Sequence, residues 1–204
     1  MENVMNPEEF YLKLKENLNA IIDIEKVYHD NTKWTKTIKD LTESMLCTQN
    51  ISREYYRIDS LEYAYTEFYK NFNENYHKKT FYGNNGDKYY LNVYNWKNVY
   101  AIEYENDCHS WTDELIKLSH IRSDLKVIIA YSEWLGDKEN YLSLIKHKMD
   151  FALELLKGCE EESLKDSWLI VFGPCKGGKE YDKYLVDCFV GYEMKDGNFV
   201  KIEE

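Results

Sequence analysis

Three carboxylates carry the chemistry that this chain's residue types suggest. Asp59 lies in Arg57-Ile58-Asp59-Ser60-Leu61, and Glu103 and Glu105 lie in Asn98-Val99-Tyr100-Ala101-Ile102-Glu103-Tyr104-Glu105-Asn106. Read as a strand, the second stretch puts Val99, Ala101, Glu103 and Glu105 on one face and Tyr100, Ile102 and Tyr104 on the other. Carboxylates in line with an apolar face are costly unless they are paired or bind a metal. Residues at i and i+2 of a strand point the same way, so Glu103 and Glu105 can share a site with Asp59 on a neighbouring strand. Oxygen ligands of this kind suit Mg²⁺ or Mn²⁺, which take one or two carboxylates and complete their shell with water and phosphate. Such a site polarises a phosphodiester oxygen and lowers the pKa of an attacking water. The competing reading of the same residues is the solvated face of a half-exposed sheet.

The elements that must position these residues are readable from periodicity. Asn6-Pro7-Glu8-Glu9 is a helix start with capping-box spacing, and Phe10, Leu14, Leu18 and Ile21 carry the helix on to about Tyr28. Asp30-Asn31-Thr32 starts a second helix with Trp34, Ile38, Leu41 and Met45 as its buried stripe. Residues 53–65 read as a strand with Tyr55, Arg57, Asp59 and Leu61 on one face. Asn85-Gly86 is a tight-turn signal between 79–82 and 87–95, and these runs with 98–106 make an antiparallel meander. Ser110-Trp111-Thr112-Asp113 reads as a cap for a helix carrying Trp111, Leu115 and Leu118. A buried strand at 125–131, an amphipathic helix at 138–157 ended by Gly158 and a buried strand at 168–173 follow. A closing hairpin of 184–192 with 199–202 turns at Asp196-Gly197. The expected fold is a single α+β domain over residues 1–204.

Composition narrows the function. With 26 Lys and Arg against 37 Asp and Glu the net charge is −11, which argues against a general coat for nucleic acid or an anionic membrane. A locally basic groove stays compatible with that balance, and Lys78, Lys79, Lys97, Lys117, Arg122 and Lys126 are its candidates. Five cysteines without C-x-x-C spacing predict reduced thiols. The N-terminus lacks an apolar signal-like run and no apolar run is long enough to span a bilayer, so a cytoplasmic protein is expected.

The order of elements and acids resembles the PD-(D/E)XK nuclease superfamily, over roughly residues 32–134. The matching residues are Asp59 in Arg57-Ile58-Asp59 and Glu103 in Ala101-Ile102-Glu103-Tyr104-Glu105. The resemblance implies a restriction-endonuclease-like αβββαβ core, with N-terminal helices before it and residues 135–204 as a C-terminal extension. It implies a Mg²⁺- or Mn²⁺-dependent phosphodiesterase acting on DNA, with metal on Asp59, Glu103 and Glu105. Glu43 matches the helical Glu that many members carry, with Glu54 as fallback. Two departures stand out. Glu105 occupies the position of the motif lysine, which Lys117 or His120 on the next helix could replace, and 44 residues separate Asp59 from Glu103, a spacing an inserted hairpin explains. The acidic charge and the Glu105 departure also fit an inactive nuclease-fold protein working through a protein partner, or an acidic regulator that mimics DNA.

Other motifs weigh less. Gly173-Pro174-Cys175-Lys176-Gly177-Gly178-Lys179 has the spacing of a phosphate loop, but Glu180 stands where Ser or Thr should follow and a strand is expected next. Tyr55, Tyr56, Tyr90, Tyr94 and Trp96 could stack on bases, with cross-strand pairing in the core as the competing role.

Overall fold

The computed structural model describes residues 4–46, 51–55, 58–65, 96–159, 164–175 and 180–203, with the backbone alone at 52–55, 63–65, 96 and 97. The 79–95 hairpin, with its Asn85-Gly86 turn, lies outside the described residues, as do Lys78, Tyr56, Tyr90 and Tyr94.

Helix α1 (Pro7–Asn19) starts as its sequence predicts. Asn6 accepts from the Glu9 amide at 2.9 Å, and the Glu9 carboxylate accepts from the Asn6 amide at 3.0 Å. The helix does not run on to Tyr28. It stops at Ala20, the chain turns through Asp23 in the left-handed region (φ 53°), and α2 (Ile24–Tyr28) follows. That turn lets Tyr28 bury its ring edge-on against Trp34, 4.7 Å between centroids. Asp30 caps α3 (Asn31–Met45) by accepting from Lys33.

Among the described residues, one mixed sheet of seven strands follows, in sequence order from β1 to β7. The expected strand 53–65 is two antiparallel strands, β1 (Ile51–Tyr55) and β2 (Ile58–Tyr65). Strand β2 pairs antiparallel with β3 (Trp96–Tyr104). Among the described residues, β1, β2 and β3 form an antiparallel meander. Helix α4 (Trp111–Ser119) is the crossover to β4 (Ser123–Ser132), which lies parallel to β3. The expected Ser110 side-chain cap is not made; its carbonyl takes the Asp113 amide instead. Helix α5 (Lys138–Cys159) runs through Gly158, and β5 (Trp168–Pro174) then adds parallel to β4. Both inner strands are largely apolar and buried on both faces beyond Asp124, as parallel strands between helix layers must be, with Lys126 the buried cation among them.

The stretch expected to begin a strand at Tyr184 instead forms two 3₁₀ turns, Asp182–Tyr184 and Val186–Cys188, before β6 (Val190–Lys195). Tyr181, Leu185 and Cys188 are buried, a helical spacing hidden beneath an apparent alternation. Strand β7 (Asn198–Lys201) closes the hairpin at Asp196-Gly197, both with positive φ as that turn demands.

Helices α1 to α3 cover one face of the sheet and α4 with α5 the other. Phe10 meets Tyr100 and Trp34 meets Phe189 on the first; Trp111 meets Phe172 edge-on on the second. Each such buried ring contributes roughly 1.5–3 kcal/mol of hydrophobic stabilisation. Gly173 belongs to this packing and not to a phosphate cradle, since a Cβ there would lie 2.7 Å from the Phe189 ring. No helix among the described residues is long and apolar enough to cross a membrane.

Candidate functional site

The register that pairs Ser60 with Ile102 and Leu61 with Ala101 brings the start of β2 beside the end of β3. Asp59 and Glu103 therefore sit next to each other, on the sheet face that their alternation with Leu61 and Ala101 predicts. The Asp59 amide faces Glu103 Oε2 at 3.4 Å. Asp59 Oδ2 accepts the Tyr104 amide at 2.9 Å, which fixes the carboxylate across the strand boundary.

A lysine holds each acid. Lys39, from α3, reaches Asp59 Oδ1 at 2.8 Å, with both side chains about four-fifths buried. Lys117, from α4 on the opposite layer, reaches Glu103 Oε1 at 2.8 Å and also pairs with Glu114. Glu103 is 1% exposed. Burial pushes its carboxyl up to about 8, with Glu114 and Asp59 adding to the rise and Lys117 opposing it. Burial alone would lower Lys117, but hydrogen bonds to Glu103 and Glu114 carry its pKa above the ordinary value.

A hydroxyl layer supports this pair from the α3 side. Ser60 donates to Glu43 Oε1 at 2.8 Å, so Glu43 is held one residue from Asp59. The buried Tyr104 hydroxyl shares a hydrogen bond with Thr42, and burial raises its pKa. Lys39 also lies over the Tyr104 ring, 5.5 Å from its centroid.

Of the expected site residues, Glu103 meets both Asp59 and Lys117, and Glu43, bonded to Ser60, flanks Asp59. Glu105 is the exception. It lies just past β3, and its Oε1 accepts the Asp107 amide at 2.6 Å. Its pKa is raised by partial burial first, then by Glu114, Asp107 and Asp59, so it stays within their electrostatic reach. Among the described residues, no three His, Cys, Asp or Glu side chains gather around a point that one metal ion could take. The expected set of three carboxylates is thus met by two.

No family model, curated protein or solved structure matches this chain.

The wider candidates divide. His120 is exposed at the end of α4, and Glu54, Tyr55, Trp96 and Lys97 are described by backbone alone. Lys126, expected in a basic groove, is fully buried, paired with Asp166 and lying over Trp168 at 4.7 Å. The reason is its place on β4, covered on both faces. The expectation of reduced thiols also changes: Cys108 and Cys175 form a disulfide, while Cys159 and Cys188 are free. The two lie 67 residues apart, so no spacing rule could pair them; the fold does, by placing the ends of β3 and β5 on either side of β4.

Lys39 and Glu114 are the functional candidates that sequence reading missed. Each left a faint signal: Lys39 precedes Glu43 by four residues on α3, and Glu114 precedes Lys117 by three on α4, so each pair shares a helix face.

Proposed function

We propose that this chain is a divalent-metal-dependent phosphodiesterase of the PD-(D/E)XK type that acts on DNA. The observation that carries the reading is the side-by-side placement of Asp59 and Glu103, brought together from 44 residues apart. The order of a helix, three antiparallel strands, a helix and a parallel strand supports it, since it runs as the resemblance implies. The donor set fits Mg²⁺ or Mn²⁺: hard carboxylate oxygens, two in number, at a place where burial first, and then the neighbouring acids, raise Glu103. Asp59 and Glu103 would hold the ion, which when bound supplies Lewis-acid polarisation of the phosphodiester and an activated water. The Tyr104 amide and Lys39 orient the Asp59 carboxylate. Lys117 places a cation beside Glu103, where the lysine that Glu105 replaces would offset phosphate charge.

The test is cleavage of plasmid and single-stranded DNA with Mg²⁺ or Mn²⁺ by the full chain and by Asp59→Ala and Glu103→Ala. Loss of a metal-borne contribution of several kcal/mol predicts a fall of about 10³-fold or more in either variant. Cleavage unchanged in both ends the reading.

One observation favours a second reading. Both carboxylates already have lysine partners, as they would in a nuclease-fold protein that keeps the scaffold and works through protein contacts. Calorimetry separates the two, because absence of heat at millimolar Mg²⁺ supports the second.

A further inference from the structure

Cys108 lies in the short loop between β3 and α4, three residues beyond Glu105, and Cys175 directly follows β5. Both are partly exposed, unlike the buried Cys188. The loop is a chain of local bonds. Glu105 accepts the Asp107 amide at 2.6 Å, and Asp107 accepts the His109 amide at 2.8 Å. The Cys108 carbonyl accepts from Lys148 Nζ at 2.9 Å, and the Cys175 amide donates to the Ser132 carbonyl at 2.7 Å. The disulfide therefore spans the ends of β3 and β5 and fixes the segment that turns the Glu105 carboxylate onto the Asp107 amide.

We propose that the Cys108–Cys175 pair is a reversible thiol-modification site that holds Glu105 on the Asp107 amide when oxidised and releases it when reduced. The metal consequence rests on the reading of the site given above. The reductant is a dithiol. Its first thiolate attacks one of the two sulfurs, forming a mixed disulfide and expelling the other as a thiolate. Its second thiolate then closes the reductant's own disulfide and frees the first cysteine. Two electrons and two protons pass to the protein, which ends with two thiols. Partial exposure of both cysteines gives the attacking thiolate access. Freed at its Cys108 end, the loop can open, and Glu105, just past the end of β3, can turn toward the two acids as a further oxygen ligand.

The experiment uses the full chain, oxidised or treated with dithiothreitol, beside Cys108→Ser, Cys175→Ser and Glu105→Gln. Alkylation and mass spectrometry map the thiols, hydrogen exchange follows the loop amides, and calorimetry measures Mn²⁺ binding. Reduction is expected to expose Cys108 and Cys175 to alkylation and to speed exchange of the Asp107 and His109 amides roughly tenfold. It is also expected to tighten Mn²⁺ roughly tenfold, a gain absent in Glu105→Gln. Each serine variant should behave as reduced protein whatever the treatment. Equal alkylation of both cysteines without reductant overturns the proposal, as does a bond whose reduction leaves loop exchange and Mn²⁺ affinity unchanged. Faster loop exchange with no Mn²⁺ binding in either state overturns the proposed metal site and leaves the redox release standing.

Discussion

Replacing Glu103 by Gln should make the protein more stable at alkaline pH. The Glu103 carboxyl ionises at about 8 in the folded chain against an ordinary value of 4.5, because burial and the nearby Glu114 and Asp59 charges disfavour the anion. Between those values the folded protein keeps a proton that the unfolded chain has released, so stability falls as pH rises through the window. At 1.36 kcal/mol per pH unit across that window, the loss reaches roughly 5 kcal/mol as an upper bound. A glutamine has the shape of the protonated acid and no ionisation to suffer, and Lys117 keeps its partner Glu114. Urea unfolding without divalent ions should therefore find the two proteins alike near pH 5, with Glu103→Gln more stable by roughly 3–5 kcal/mol near pH 9. Adding millimolar Mg²⁺ near pH 9 should return stability to the native chain only, since binding requires the ionised carboxylate. Parallel pH curves for the two proteins, or a variant less stable at alkaline pH, would refute the reasoning.

Two further outcomes follow from the same structure. Lys117→Met removes the cation beside the buried Glu103, so its pH-dependent cost should be small near pH 6, where the acid is protonated, and grow by no more than about 1.4 kcal/mol per pH unit above pH 8, measured by urea unfolding at pH 6 and pH 9. Gly191→Ala places a Cβ 2.6 Å from the Tyr11 ring, which cannot slide away without stretching its 2.9 Å bond to the Phe189 carbonyl; a loss of roughly 1–3 kcal/mol is expected in thermal unfolding, and an unchanged melting temperature would contradict it.

The meeting of Asp59 and Glu103 was legible because it needs only two strand alternations and the assumption that the strands are neighbours. The buried pair β4 and β5 was legible because continuous apolar runs leave little choice. What escaped depended on contacts between elements remote in sequence. Nothing local says that Lys39 of α3 reaches Asp59, or that Cys108 and Cys175 meet across β4. The 3₁₀ turns before β6 escaped for another reason. Tyr184, Val186 and Cys188 alternate like a strand, yet Tyr184 is exposed while Tyr181, Leu185 and Cys188 fill the core. The run 53–65 failed similarly, because a hairpin and one long strand share the same period.

The energetics of the two lysine–carboxylate pairs bear on function as well as fold. Desolvating an ion pair usually costs about as much as its attraction returns, and a well-packed apolar pair of similar volume would serve stability equally or better. Most of β4 and β5 follows that rule, facing their neighbours with Val, Ile, Leu and aromatic side chains, with Lys126, paired to Asp166, as a buried exception. At the junction of β2 and β3 the chain departs from it, keeping Glu103 almost fully buried beside a second acid, with a third, Glu114, one helix away. Stability gains nothing from burying Glu103 beside other acids that add to the rise of its pKa, whereas a cation-binding site gains affinity from relieving that repulsion. The two lysines come from opposite layers, α3 and α4, so that each pairs with one acid from its own side.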